Sequence, residues 1–321
     1  MSTPARLLIT GATGFIGHAV CREAIHRGHS VLGTCRDCNK LPAGIVHVPI
    51  PDINETTDWT GTLRDIDIII HLAARAHIMH DTAADPLQEF RRINTAATLH
   101  LARAAAKAGV RRFVFISSIK VNGEKTLPGQ PFRETDTPHP EDPYGISKWE
   151  AEQGLMEIGK ATGMQIVILR PPLVYGPDVK GNFAQLLRVM EKPLPLPLGS
   201  IRNQRSLIYL GNLVDVILLC ATHPAAANQT YLVSDGNDVA TPDLIRLLAV
   251  KMQVKPLVIP CPVWMLRLMA GVAGKSAQLN RLLDSLQVDI RKLRENTGWH
   301  PAYTTDQGMQ MTADACLSKQ K

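Results

Sequence analysis

Two groups of residues in this 321-residue chain have the types and spacing that reactive chemistry needs. The first is Gly11-Ala12-Thr13-Gly14-Phe15-Ile16-Gly17, which follows a short apolar run, Arg6–Thr10, and opens a helical pattern. A diphosphate must be met by backbone N–H groups at close range, where side chains would block it. Gly11 permits a sharp turn, Gly14 lets the phosphates approach, and Gly17 lets the helix pack against the strand. The helix start adds the positive end of its dipole. The second group is Tyr144 and Lys148, four apart near a helix start and therefore on one face. A free tyrosine, with a pKa of about 10, is a poor base at neutral pH. A neighbouring ammonium favours the phenolate and lowers that value. Ser118, at the end of a strand, can hydrogen-bond the reacting oxygen. The chemistry these residues suit is hydride transfer at one carbon, with proton transfer at its oxygen.

The elements that must position these residues can be read from pattern. Strands are expected at Arg6–Thr10, Ser30–Thr34, Ile45–Val48, Asp67–His71, Arg112–Ser117 and Gln165–Leu169, the fourth rich in β-branched residues. Helices are expected from about Gly14 to Arg27, from Pro86 to Ala108 and from Pro143 to Thr162. Asp85-Pro86 and Asp142-Pro143 pair an N-cap with a first-turn proline, and Gly28, Gly109 and Gly163 close the helices. Strands alternating with helices imply βαβ units and a parallel sheet buried on both faces. After Pro171 prolines cluster (Pro193, Pro195, Pro197) and the pattern becomes irregular. The expected fold is α/β: a doubly wound parallel sheet over residues 1–170, with about 206–235 returning to it, and a smaller interleaved lobe over most of 171–321.

Composition narrows the class. With 45% hydrophobic and 20% charged residues, the chain is neither disordered nor fibrous. The net charge of +6 includes no run of five basic residues, so nothing argues for nucleic acid. The longest apolar stretches, Ser206–Ala221 and Val263–Ala273, are too short to span a bilayer, so no membrane insertion is expected. Met1–Ile9 is too short before Gly11 to be a secretory leader, and the six cysteines show no framework spacing; a cytoplasmic setting is expected. Cys35-Arg36-Asp37-Cys38 has the look of a metal or redox motif but lacks two further soft ligands nearby, and His77-x-x-His80-Asp81, which could suggest a metal, follows the fourth strand in a loop position; no metal is expected.

The spacing G-x-x-G-x-x-G, with Ile70-His71-Leu72-Ala73-Ala74, Asn94, Ser117-Ser118, Tyr144-x-x-x-Lys148, Arg170-Pro171, Tyr175-Gly176-Pro177, Arg205 and Gly298-Trp299-x-Pro301, resembles the extended short-chain dehydrogenase/reductase family, the epimerase/dehydratase group acting on nucleotide sugars. The resemblance covers nearly the whole chain. It implies a Rossmann-type fold with catalytic Ser118, Tyr144 and Lys148. It implies a nicotinamide cofactor held by Gly11, Thr13, Gly14, Phe15, Ile16, Gly17, Asp52, Ile53, Leu72, Ala73, Ala74, Asn94, Tyr144, Lys148 and Pro171. Cys35 stands where NAD-selective members carry Asp, and Arg36 follows, which favours NADP(H) while Asp37 keeps NAD(H) possible. On the substrate side the resemblance assigns Arg205 and Asn182 to a UDP-sugar, with Arg281 a weaker candidate placed only by its lobe. It also implies a homodimer through the two long helices.

Departures from the family pattern discriminate among activities. The 4,6-dehydratases carry Thr-Asp-Glu where this chain has Ser118-Ile119-Lys120; Ile119 has no proton to give and Lys120 has the wrong charge, so water elimination is not expected. Many 4-epimerases carry Asn where this chain has Leu173. The strings Ser118–Glu124 and Pro171–Pro177, with Lys180–Phe183, look like the C4 ketoreductases of O-antigen synthesis. The leading expectation is therefore reduction of a UDP-4-keto-6-deoxy-N-acetylhexosamine. A UDP-glucose or UDP-N-acetylglucosamine 4-epimerase is the alternative, and a non-catalytic dinucleotide-binding regulator a remote one.

Overall fold

The computed structural model describes residues 4–318 except 38–39, 77–82, 128, 193–194, 273 and 275; residues 182, 272, 276–278 and 281 are described by their backbone only. The first half alternates as its pattern demands: β1 (Arg6–Thr10), α1 (Phe15–His26), β2 (Ser30–Cys35), β3 (Val46–Pro49), β4 (Ile68–His71), α2 (Pro86–Phe90), α3 (Ala97–Lys107), β5 (Arg112–Ile116), α4 (Pro143–Thr162) and β6 (Gln165–Arg170). The second half follows with β7 (Leu173–Tyr175), α5 (Gly181–Met190), β8 (Pro195–Leu196), β9 (Arg205–Tyr209), α6 (Leu210–Thr222), β10 (Gln229–Leu232), β11 (Asp238–Val239), α7 (Thr241–Met252), β12 (Leu257–Val258), α8 (Val263–Val272), α9 (Ser276–Leu283), α10 (Arg291–Thr297) and α11 (Thr305–Ser318).

Seven strands form one parallel sheet in the order β10-β6-β5-β4-β1-β2-β3. The chain leaves β1 toward β2 on one side and returns to β4 on the other. This reversal opens a crevice beyond the strand ends of β1 and β4, where open α/β sheets take their ligands. Alternate residues of β1 serve opposite layers: Leu7 and Ile9 pack with Val20 and Ala24 of α1 and Val216 and Ile217 of α6, while Leu8 packs with Leu101 of α3 and Leu155 of α4.

Helix ends follow their local chemistry. Asp85 Oδ1 accepts from the N–H of Gln88 at 3.1 Å, and Asp142 Oδ1 from that of Gly145 at 2.7 Å. Gly163 ends α4 with φ 79°, a left-handed conformation that suits glycine. One expected element differs: the helix from Pro86 to Ala108 is not continuous. Residues Arg91–Ala96 are wound as a π-helix between α2 and α3. The apolar spacing of the sequence could not reveal this, because the wide turn is fixed by the polar contacts of Asn94.

Two polar clusters tie the second half together and to α1. Tyr175 donates to Asp235 Oδ2 at 2.7 Å, and Asp235 Oδ1 accepts from Tyr209 N and Asn212 Nδ2. Trp299 Nε1 donates to Asp215 Oδ2 at 2.7 Å, while the other oxygen of Asp215 takes Arg27 of α1 at 2.8 Å. Gly298-Trp299 is thus a structural clasp.

Below the sheet's C-terminal edge, Arg170 and Glu152 form an ion pair at 2.5 Å with side chains only 4% and 2% exposed. Glu152 also accepts from Ser117 Oγ, and Arg170 Nη1 donates to Asn122 Oδ1 at 2.9 Å. Removing one partner strands the other charge in a low-dielectric interior. Glu152→Ala is therefore expected to cost about 3–5 kcal/mol, read as a shift of the urea unfolding midpoint with the slope unchanged.

Candidate active site

The loop between β1 and α1 is shaped by contacts only glycine allows. Gly11 has φ +68°, and a Cβ there would lie 2.9 Å from the backbone N of Ala73. A Cβ on Gly17 would stand 2.1 Å from the Gly11 carbonyl oxygen, an impossible approach. Gly14 N donates to Gly11 O at 2.9 Å and is the N-cap of α1, which has no side-chain cap and no acid in its first turn. The helix's first N–H groups and the positive end of its dipole are therefore uncompensated by the chain itself. Such a cradle fits the diphosphate of a dinucleotide. Thr13, Phe15 and Ile16 are half-buried around it.

The facing wall is tied down from beneath. Thr10 Oγ1 accepts from the N–H groups of Leu72 and Ala73, both at 3.2 Å, and pairs with His71 Nδ1 at 2.7 Å. His71 Nε2 meets Thr98 Oγ1 at 2.9 Å. Burial, reinforced by the charge of Lys148, pushes the His71 pKa down to about 3, so this histidine is neutral and structural. Ala74 is half-buried beside it.

Tyr144 and Lys148 lie on the first turns of α4, and Glu152 continues the same face one turn later. Lys148 Nζ donates to the Ile116 carbonyl at 2.9 Å, sits 4.4 Å from the Phe115 ring centre and 5.9 Å from that of Tyr144. Burial pushes its pKa down to about 7, and the charge of Glu152 works against the fall. Burial likewise raises the Tyr144 phenol above its ordinary range, and the Asp142 carboxylate adds to this. A hydrogen bond with Ser118 pulls the other way. An added positive charge at this spot is what the phenolate needs. Ser118, at the end of β5, caps a short turn through its Oγ, which accepts from Lys120 N at 3.3 Å. The structure thus brings Ser118, Tyr144 and Lys148 together at the edge of the crevice.

Asn94 is fully buried within the π-helical turn. Its Oδ1 accepts from Arg75 N at 2.8 Å, and its Nδ2 donates to Arg75 O and to Ser147 Oγ. Ser147 in turn donates to the Tyr144 carbonyl at 2.8 Å. The amide staples the strand-end loop after β4 to α4. Pro171 is buried, and its carbonyl accepts from Ile119 N at 3.0 Å.

At the far end of the crevice, Arg36 is exposed just after β2 and makes no ion pair among the described residues, while Asp37 pairs with Lys40 at 3.2 Å. Asp52 lies 3.6 Å from Arg92, and Ile53 is half-buried. In the C-terminal lobe Arg205 heads β9, with Nη1 donating to the Asp284 carbonyl at 3.0 Å. The side chains of Asn182 and Arg281 fall outside the described residues, as do Cys38 and His77–Asp81.

Lys120 has a part the sequence reading did not give it. Its Nζ pairs with Glu124 at 2.7 Å and with Asp142, the N-cap of α4. The residue two positions after Ser118 therefore helps set the start of the helix that carries Tyr144. Glu152 was detectable in principle, since Tyr144, Lys148 and Glu152 repeat at intervals of four.

Comparisons with known proteins agree with this geometry. A family model described as "NAD dependent epimerase/dehydratase family" matches residues 7–234. A curated relative, "UDP-glucose 4-epimerase" of Vibrio cholerae, is 45% identical over 316 residues, covering 98% of this chain and 96% of its own. Among solved structures, a UDP-glucose 4-epimerase with UDP-glucose from Thermotoga maritima superposes with a TM-score of 0.80 at 22% identity, covering 98% of this chain and 100% of its own. A UDP-glucose 4-epimerase complex with NAD from Thermus thermophilus gives 0.76 at 23%, covering 97% and 98%. These likenesses share the fold described above.

The cradle and the lysine each yield an expected outcome. Gly17→Val forces α1 off β1, and dinucleotide binding followed by titration calorimetry is expected to fall by at least about a hundredfold, some 3 kcal/mol. For Lys148, the unfolded chain holds a proton that the folded one sheds between pH 7 and the ordinary 10.5. Stability of the cofactor-free protein should therefore gain a rising contribution across that window. Lys148→Met should remove it, as read by urea unfolding at several pH values.

Proposed function

The chain belongs to the NAD dependent epimerase/dehydratase family, and on that footing we propose that it interconverts the C4 epimers of a UDP-hexose. The observation that carries this reading is the grouping of Ser118 and Tyr144 with the buried Lys148, 5.9 Å from the Tyr144 ring centre, at the sheet's switch point and beside the glycine cradle. The activity of the 45%-identical relative from Vibrio cholerae, named a UDP-glucose 4-epimerase, supports the choice of substrate class.

The cofactor, NAD, supplies when bound the acceptor and donor of the C4 hydride. Tyr144 Oη removes the proton from the C4 hydroxyl and later returns it to the same oxygen. Ser118 Oγ hydrogen-bonds that oxygen and the phenol. Lys148, protonated, favours the phenolate and reaches the ribose hydroxyls, holding cofactor and base in register. The Gly11–Gly17 cradle holds the cofactor's diphosphate, and Arg205 supplies charge for the diphosphate of the substrate. Elimination of water finds no acid–base pair here, because Ile119 is buried and Lys120 is engaged with Glu124 and Asp142.

Two observations favour a second reading, reduction of a UDP-linked 4-keto sugar by NADP(H) or NAD(H). Leu173 presents an apolar, partly exposed side chain on β7 where many 4-epimerases carry Asn. Arg36 stands open at the end of β2, suited to an adenosine 2′-phosphate.

The purified protein is expected to interconvert UDP-glucose and UDP-galactose with no cofactor added, and to release NAD on denaturation. Tyr144→Phe should lower kcat by at least about a hundredfold with KM little changed. Stoichiometric consumption of NADPH or NADH with a UDP-4-keto sugar, and no interconversion without it, would replace the first reading by the second.

A further inference from the structure

One segment of the C-terminal third is basic without any acid of its own. Between Leu244 and Leu283 lie six basic residues (Arg246, Lys251, Lys255, Arg267, Lys275 and Arg281) and no acidic one. In the fold, Arg246 is neutralised by Asp243 and Lys251 by Asp306. Lys255 and Arg267 are exposed and make no ion pair among the described residues.

The same segment carries an unpartnered apolar face. Trp264, Leu268 and Met269 of α8 are 68%, 63% and 56% exposed; Met265 of the same helix is exposed too, as are Leu257 and Leu282 elsewhere in the segment. Among the described side chains of the helix, only Leu266 is buried. Single exposed apolar residues need no explanation, but a row of them on one helix with a cation between does. Near it is a cavity of about 360 Å³ lined by Lys125, Arg267, Leu279, Asn280 and Asp284. The patch is fastened to the substrate lobe: Asn203 Nδ2 donates to the carbonyls of Leu282 and Asp284 at the end of α9, and Arg205 shares the latter.

We propose that α8 and its flanking basic residues dock this protein on an anionic lipid surface, with Trp264, Leu268 and Met269 in the interface and Arg267 and Lys255 on phosphodiester headgroups. The charge selects this occupant. Two copies meeting through this face would bring their excess cations together, whereas anionic headgroups neutralise them. A nucleic acid would answer the charge but leave the Trp, Leu and Met side chains in water. At ten residues α8 lies in the interface rather than crossing it, and no described helix is long and apolar enough to span a bilayer. Tryptophan suits that depth, its ring apolar and its N–H wet. Docking in this way would hold the substrate lobe, with Arg205, close to the membrane plane.

The test is flotation of the full chain with vesicles of phosphatidylcholine alone, or with about a third phosphatidylglycerol. Binding to the anionic vesicles only, weakened by salt and accompanied by a blue shift of tryptophan emission, is expected. Leu268→Glu and Arg267→Glu should each weaken it at least about tenfold. Leu268→Glu, on an exposed position, should leave turnover of the soluble UDP-sugar unchanged, so failure of docking and failure of the proposed activity are told apart. No flotation with either vesicle overturns the proposal. So does flotation that ignores phosphatidylglycerol, or a dimer, seen by light scattering, that Leu268→Glu dissociates without any lipid binding.

Discussion

The buried carboxylate of Glu152 is the point on which the crevice edge carrying Ser118, Tyr144 and Lys148 is assembled. It accepts from Ser117 at the end of β5 and from Arg170 at the end of β6, so two strand ends and one helix share a single charge. The same charge opposes the desolvation of Lys148 one turn earlier on α4. Had that position been apolar, Arg170 would be left without its counter-ion, and Lys148 would titrate lower still. Ser118 and Tyr144 are half-buried and Lys148 is buried, and the placement of α4 and the protonation of Lys148 are set one layer down, by Glu152 and the groups around it.

A second constraint acts at the opposite edge of the crevice. The carbonyl of Gly11 occupies the space that a side chain on Gly17 would need, so strand and helix meet backbone to backbone. The loop that follows β4 is held against this turn by Thr10 and His71. Asn94 and Ser147 carry the positioning on to α4. A continuous path of polar contacts thus runs from the phosphate cradle to Tyr144, and each step leaves a buried donor or acceptor satisfied, which a fold of this kind must achieve. The clasps of Trp299 on Asp215 and of Tyr175 on Asp235 do the same for the second lobe.

Much of this was legible in the residues. The Asp-Pro helix starts, the closing glycines and the β-branched runs mark strands and helices to within a residue or two, because each is a local signal. The glycine loop and Ser118, Tyr144 and Lys148, picked out by type and spacing, lie together at the crevice in the fold. What escaped was set by contacts distant in sequence. The π-helical winding of Arg91–Ala96 depends on Asn94 reaching Arg75 and Ser147. Lys120 could be read only as a missing acid until the fold set it beside Asp142, 22 residues on. The lack of any acid among the six basic residues of 244–283 was countable from the sequence, yet it gained meaning only once α8 showed its apolar side chains turned outward.

The widened turn at Arg91–Ala96 has a consequence for how this lineage can change. A π-helical turn is an α-helix carrying one extra residue. Deleting one residue there would restore regular winding, but everything on one side would rotate by about 100° about the helix axis. Asn94 would then leave Arg75 or Ser147, and Phe90 would swing from its edge-on packing against Tyr144. Loops elsewhere on the surface can lengthen or shorten by single residues at little cost. This helix cannot, so the reading frame of contacts from Pro86 to Lys107 is inherited as a unit, its odd length included.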